Sequence, residues 1–337
     1  MRTISFQNLV NFSPQSKFEE KVQHFCQSWY SNSNEFHFYT SGSTGEPKEI
    51  IIIREQIENS AQQTISWLGL KENQQALLCL SPDYIAGAMV LVRAMMAKMN
   101  LILIEPSQDL SEEITKISDS IHLASFVPNQ WKILLNAKVN LNAIFKNAHG
   151  VLIGGADLDL ATKTKTNIDC QFPVYLTYGM TETVSHIAYQ SISQNPTDCL
   201  TALASVKLKQ LTNGNLAISS ASTLNQWIET NDLVEMLDQT RFRILGRSNR
   251  IINSAGLKIN PKEIENCLEL LFFKLKQEID FFVAGTPDDF FGEVVSIFVN
   301  RKINIDLKEI NEYLIQFLDR NKLPIHLFQL DEFIKTN

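Results

Sequence analysis

A chain of 337 residues is long enough to bury a large core and to make two domains. Its composition, 44% apolar and 20% charged, is that of an ordinary globule, and a net charge of −7 argues against nucleic acid or an anionic membrane as a bulk partner. Any anionic ligand must therefore be held by local groups.

No basic-then-apolar leader pattern opens the chain. Cys26, Cys79, Cys170, Cys199 and Cys267 show no Cys-x-x-Cys spacing, which suits free thiols in a reducing cytoplasm. Phe18, Val22, Phe25 and Trp29 have helical spacing, and the polar run 31–34 ends that helix. The aromatic run 36–39 leads into Thr40-Ser41-Gly42-Ser43-Thr44-Gly45-Glu46-Pro47-Lys48. Residues 50–53 predict a buried strand. Residues 54–70 predict a helix with Ile57, Ala61, Ile65 and Leu68 on one face and Gly69 at its end. A strand at 76–80, a turn at 81–83, a helix at 84–98 and a strand at 101–104 follow. The most apolar stretch, 85–104, is interrupted by Arg93 and Lys98, so it predicts a core helix and strand rather than a membrane span.

Strand, helix and strand with short loops predict a parallel sheet with crossover helices. The pattern continues with a helix at 114–120, a strand at 124–127 and a helix from 130. Strands at 151–153 and 174–176 run into Gly154-Gly155-Ala156 and Thr177-Tyr178-Gly179-Met180-Thr181-Glu182. Ligands of open parallel sheets bind outside the carboxyl ends of strands, and all three glycine-bearing stretches are expected there. From about 200 the texture turns antiparallel, with short strands at 216–218, 233–236 and 242–245. The polar segment 246–250 is the candidate hinge. Beyond it, strands at 257–259, 281–284, 294–299 and 327–330, with helices from Pro261 and over 307–318, predict a small α+β domain. The expectation is an α/β protein. A large domain, 1–246, has parallel sheets with helices and a small antiparallel subdomain; a small domain, 247–337, is joined to it by the hinge.

In the 40–48 string, glycines let backbone N–H groups approach an anion, Ser and Thr hydroxyls add donors, and Lys48 adds charge. The bland alternative is a Ser/Gly turn between two strands. In the 178–182 string a ring can stack on a purine, a hydroxyl can donate to phosphate, and a carboxylate can hold Mg²⁺. Here the alternative is a strand-to-helix cap.

These strings resemble the signatures of the adenylate-forming superfamily, which comprises acyl-CoA synthetases, the adenylation domains of peptide synthetases and luciferases. The 40–48 string resembles its phosphate loop, and Tyr178–Glu182 matches its second signature residue for residue. The resemblance implies that Thr181 contacts phosphate, Glu182 binds Mg²⁺ and Gly154-Gly155-Ala156 takes adenine. It further implies that Asp232 of Thr230-Asn231-Asp232 and Arg247 of Gly246-Arg247 reach the ribose, with Asn249 at the hinge. Residues 253–259, with Gly256 and Lys258, resemble a loop lining the CoA channel. Ala255 stands where close relatives have glycine, and a positive φ there costs about 1 kcal/mol.

A narrower resemblance, to o-succinylbenzoate–CoA ligases of menaquinone synthesis in a short form, is carried by 84–87, 92–94, 185–188 and 246–259. It implies ATP, Mg²⁺ and CoA, and a dicarboxylic aryl acid near Tyr84. Arg93, Ser185 and His186 are the candidates to hold the acid's second carboxylate. The alternatives are an Arg93 paired to a nearby acid and a satisfied core His186. The family's adenylating lysine sits in a Gly-Lys pair near the C-terminus. Here 333–337 matches the approach to it, with Lys335 preceding Thr336, not at the catalytic position. Without that lysine the first half-reaction is expected to slow while nucleotide binding survives. A ligase for another aryl or fatty acid, and a catalytically silent nucleotide- or acyl-AMP-binding protein, are the other two readings.

Overall fold

The computed structural model describes residues 1–31, 33–40, 48–330 and 333. From the N-terminus come β1 (Arg2–Ile4), α1 (Lys17–Tyr30), β2 (Glu35–Thr40), β3 (Lys48–Ile53), α2 (Arg54–Leu68), β4 (Gln75–Leu78), α3 (Ile85–Met96), β5 (Asn100–Leu103) and α4 (Ser111–Thr115). Then come β6 (Leu123–Phe126), α5 (Pro128–Asn136), α6 (Leu141–Ile144), β7 (Gly150–Ile153), α7 (Leu160–Asp169), β8 (Val174–Met180), β9 (Ser185–Ser191) and β10 (Leu200–Ala202). After these follow β11 (Lys207–Gln210), β12 (Asn215–Ser219), β13 (Ile228–Met236), β14 (Arg241–Arg247), β15 (Ile252–Ser254) and β16 (Leu257–Ile259). The last elements are α8 (Pro261–Lys274), β17 (Phe281–Asp288), β18 (Gly292–Val299), α9 (Leu307–Leu314) and β19 (His326–Gln329).

Among the described residues one twelve-stranded sheet runs β1-β5-β4-β6-β7-β8-β9-β10-β14-β13-β12-β11. Its five central strands, β5 to β8 in that order, are parallel. Their near-continuous apolar sequences suit strands covered on both faces. Alternation divides them: Leu78, Leu101, Leu103, Leu123 and Leu152 pack with α1, α2 and α3. Leu77, Ile102, Ala124, Val151 and Ile153 face the other way, with Trp131, Phe145 and Phe172. From β9 outward the pairing is antiparallel. Thus the change of texture begins at Ser185, before the expected point.

Beyond β14 a second sheet, β16-β15-β18-β17 with β19 parallel beside β18, has its own core with α8 and α9, built on Ile264, Leu268, Val283, Ile297 and Ile310. It meets the larger sheet's layer through α8. The Glu269 carboxylate accepts from the backbone N–H of Leu160, Lys262 lies 3.7 Å from Asp157, and Asn260 Nδ2 donates to Leu245 O at 2.7 Å.

Three expectations need correction. Among the described residues β2 and β3 form a separate two-stranded antiparallel hairpin, with Thr40 opposite Lys48. The 40–48 stretch therefore does not follow a strand of the parallel sheet. Residues 178–180 lie within β8 rather than after it, because β9 pairs back along them. The helix expected at 114–120 lies at Ser111–Thr115. Helix α7 and strands β9 to β11 went unread, for their polar sequences carry little periodicity. All five cysteines are free, four of them buried.

Ala255 and Gly256 form the two-residue turn of the β15–β16 hairpin, with φ of 48° and 83°. Two successive positive φ values belong to a turn that twists with its strands and favours glycine. Ala255→Gly is expected to stabilise the protein by about 0.5–1 kcal/mol. A higher urea midpoint with unchanged slope is the result expected; a lower midpoint contradicts the turn geometry.

Candidate active site

The carboxyl end of β7 lies beside the first half of β8, Ile153 opposite Leu176. Past β7 the chain turns at Gly154, where a Cβ would sit 2.7 Å from Thr177 Oγ1. That hydroxyl donates to Ile153 O at 3.0 Å and ties the end of β7 to β8. Gly155 has φ 96°, and a Cβ there meets no heavy atom within 4 Å, so the turn faces open space. Ala156 beside it is exposed. A flat ligand can lie against such a backbone.

On β8 the register shifts between Tyr178 and Gly179. At Gly179 a Cβ would stand 2.2 Å from Ser185 O, so only glycine permits the close approach of β9. Across the sheet Asp232 on β13 sits directly opposite Arg247 on β14. Tyr178 Oη donates to Asp232 Oδ2 at 2.6 Å, and Arg247 Nε lies 3.5 Å from Asp232 Oδ1. Thr230 Oγ1 accepts from Asp232 N at 3.0 Å, and the Tyr178 ring meets Phe242 edge-on at 5.6 Å. Burial first, then the Asp232 charge, push the Tyr178 phenol well above its ordinary range, so it stays a donor. A carboxylate offers about four lone-pair positions. Tyr178 and Arg247 engage two, which leaves room for hydroxyl donors.

Past β8, Thr183 Oγ1 accepts from Met180 N at 3.0 Å and anchors the short turn Thr181–Thr183. Thr183 is buried, Thr181 half-buried and Glu182 exposed. A strand follows this turn, not a helix, so the capping alternative is not met. Among the described residues Glu182 makes no ion pair, and no cluster of three or more His, Cys, Asp or Glu forms a metal site.

A second constellation sits at the start of β9. Helix α3 is apolar nearly throughout, yet Arg93 in its last turn is 2% exposed. Its Nη2 donates to Ser185 Oγ at 3.1 Å and its Nε has no partner. Among the described residues no acid pairs with it, so the alternative of a structural ion pair is not met. Burial lowers its pKa to about 9, which leaves it a cation at neutral pH. Taking a charge out of water unpaired costs several kcal/mol, which suits a site awaiting an anion.

Ser185 is aimed at Arg93 by strained backbone. Val184 and Ser185 have φ of 55° and 78°, rare for a β-branched residue, and Ser60 Oγ donates to Val184 O at 2.5 Å. Both His186 nitrogens are engaged, Nδ1 with Ser185 Oγ at 3.5 Å and Nε2 with Thr64 Oγ1 at 3.2 Å, and its ring stands edge-on to Trp67. Burial, then the charge of Arg93, hold the imidazole well below its usual pKa, hence neutral.

Not every expected residue converges here. Tyr84 is 55% exposed at the opposite end of α3. It stands about 13 Å along the helix axis from Arg93. Gly256 and Lys258 lie in the second sheet, and no hydrogen bond or ion pair ties them to Tyr178, Asp232 or Arg247 among the described residues. Asn249 is exposed in the single turn Ser248–Arg250 between β14 and β15. Ser41, Gly42, Ser43, Thr44, Gly45 and residues 334–337 lie outside the described residues; Thr40 and Lys48 are placed by backbone pairing alone. Sequence reasoning missed Ser60, Thr64 and Thr183. The first two were legible as hydroxyls four apart, for α2 buries Ser60 and Thr64 beside the expected Ile57, Ala61 and Leu68, with Ile65 partly buried against the same core. A groove of about 550 Å³ between α1 and β2, lined by Lys17, Lys21, His24, Phe36 and Asp83, holds none of these residues.

The chain belongs to the AMP-binding enzyme family, which it matches over residues 5–215. Among individual proteins it is similar to the 2-succinylbenzoate–CoA ligase of Listeria monocytogenes, 25% identical over 97% of this chain and 72% of that one. Among solved structures it is similar to an acyl-CoA synthetase (AMP-forming)/AMP-acid ligase II-like protein from Dyadobacter fermentans. That likeness has 29% identity and a TM-score of 0.69, covering 99% of this chain and 95% of that one. The fold is also that of the O-succinylbenzoate coenzyme A synthetase of Bacillus subtilis, solved with ATP and magnesium ion, at a TM-score of 0.73 and 23% identity. The chain spans 66% of that structure's length and 89% of its own.

Proposed function

We propose that the chain is an ATP-dependent acid–CoA ligase acting on an aryl acid that carries a second carboxylate, o-succinylbenzoate being the acid named in the relatives. The observation that carries the substrate reading is the buried, acid-free Arg93 beside Ser185. In the first step the acid's reacting carboxylate attacks the α-phosphorus of ATP, forming acyl-AMP and releasing pyrophosphate. In the second the CoA thiol displaces AMP and a thioester forms. Gly154, Gly155 and Ala156 take the adenine and Tyr178 supports it. Asp232 and Arg247 hold the ribose, Thr181 meets phosphate, and the 40–48 loop with Lys48 holds the departing pyrophosphate. The unit 247–337 turns about Asn249 between the steps and brings Gly256 and Lys258 to the thiol's path.

Glu182 is the one free carboxylate on the Thr181–Thr183 turn, which fits Mg²⁺ shared with phosphate oxygens and water. The ion supplies charge neutralisation between phosphate oxygens. Glu182→Gln is expected to lower kcat/KM for Mg·ATP by about 10²-fold or more with the melting temperature unchanged. Unchanged turnover removes Glu182 from the site. Pyrophosphate release across a panel of aryl, dicarboxylic and fatty acids tests the whole reading. Strong stimulation by o-succinylbenzoate supports it; stimulation by a fatty acid alone rejects the substrate.

A further inference from the structure

Arg93 and Ser185 do not stand alone. A buried polar chain runs on through His186 to Thr64, and Thr64 Oγ1 in turn lies 3.3 Å from Ser60 O. Thr64 and His186 are 0% and 6% exposed, so their hydrogens need protein partners, while Ser185 between His186 and Arg93 is half-buried.

One ordering of the hydrogens gives every donor in the chain a protein acceptor. The guanidinium has no lone pair, so Arg93 must donate to Ser185 Oγ. The Ser185 proton then goes to the acceptor within reach, His186 Nδ1. An imidazole accepting at Nδ1 carries its hydrogen on Nε2, and that hydrogen points at Thr64 Oγ1. The Thr64 proton finishes on the backbone carbonyl of Ser60. The reverse ordering sends two donors into Ser185 Oγ, from Arg93 and from His186, and leaves the Ser185 proton with no acceptor among these groups.

We infer that His186 is a positioning residue for substrate selection: a neutral imidazole, protonated on Nε2, that draws the Ser185 hydroxyl proton away from Arg93. Ser185 then offers Arg93 only lone pairs. The guanidinium is held in place by an uncharged partner, and its positive charge stays available to an incoming carboxylate. An acid at position 186 would neutralise Arg93 and close the site. An apolar residue would free the Ser185 hydroxyl to turn. The inference rests on Arg93 being the group that receives the acid's second carboxylate.

Two measurements on the full chain decide it. The first is discrimination, the ratio of kcat/KM for o-succinylbenzoate to that for the matching aryl acid lacking the second carboxylate. His186→Leu is expected to lower this ratio about tenfold, through KM for the diacid. His186→Gln, whose amide accepts at one atom and donates at the other, is expected to restore it to within about threefold. A ratio unchanged in His186→Leu overturns the inference, as does a His186→Gln no better than leucine. The second measurement is the tautomer of His186 in the wild-type chain, read from its ¹⁵N shifts. A proton on Nε2 supports the inference and a proton on Nδ1 overturns it. If the wild-type chain shows no preference for the diacid, the reading of Arg93 fails by that result alone. The tautomer then still decides whether His186 orients Ser185.

Discussion

Replacing Arg93 by methionine is expected to raise KM for a diacid substrate by about 10²–10³-fold while leaving the folded chain at least as stable. The two halves of this expectation have one cause. Arg93 is 2% exposed and bonded to a neutral hydroxyl, with Nε unpartnered. In the free protein it is therefore a liability, and methionine of similar length removes a desolvated charge from a helix whose Val90, Val92, Ala94 and Met95 are also buried. With diacid bound, the same cation forms a desolvated ion pair, and its loss leaves a carboxylate buried without a partner. A structural arginine gives the opposite pair of results: a lower melting temperature and little change in KM. The measurement is thermal unfolding beside diacid kinetics, and loss of stability with unaltered KM would return Arg93 to the core.

Asp232→Ala is expected to weaken Mg·ATP binding by about 10²-fold, because two charge-assisted hydrogen bonds to ribose hydroxyls are lost together. The variant also frees the Tyr178 hydroxyl and the Arg247 guanidinium, which now share the Asp232 carboxylate. Tyr178→Phe removes only the phenol and is expected to cost about tenfold or less. Equal losses in the two variants contradict the assignment of the ribose to Asp232.

How much of this was legible in the sequence depended on periodicity. Buried strands β4 to β8 announced themselves because their apolar runs need cover on both faces. The 178–182 string and Asp232 were legible as chemistry, and the family resemblance implied their meeting at one nucleotide, which periodicity alone did not. Tyr178 touches Asp232 only because β9, β10 and β14 carry the antiparallel half of the sheet round to β13, and of these only β14 was read from the sequence. Ser185 and His186 were legible as candidates, but not their division of labour. That depends on Val184 adopting φ 55°, a conformation no local propensity favours. Ser60 and Thr64 were passed over because hydroxyls on a helix usually mark its wet face; here they serve the buried one. Tyr84 came from the resemblance of 84–87 and Arg93 from that of 92–94, and the helix sets the two at its opposite ends.

The central claim is that β8, β13 and β14 bring Tyr178, Asp232 and Arg247 to one nucleotide, with Asp232 and Arg247 on its ribose. Calorimetric titration of the native chain and of Asp232→Ala with Mg·ATP and with its 2′,3′-dideoxy analogue tests this most directly. The native chain is expected to bind ATP about 10²-fold more tightly than the analogue. Asp232→Ala is expected to bind the two alike, at the level of the native chain with the analogue. A native chain that does not distinguish ATP from the analogue, or a variant that keeps the full preference, contradicts the account.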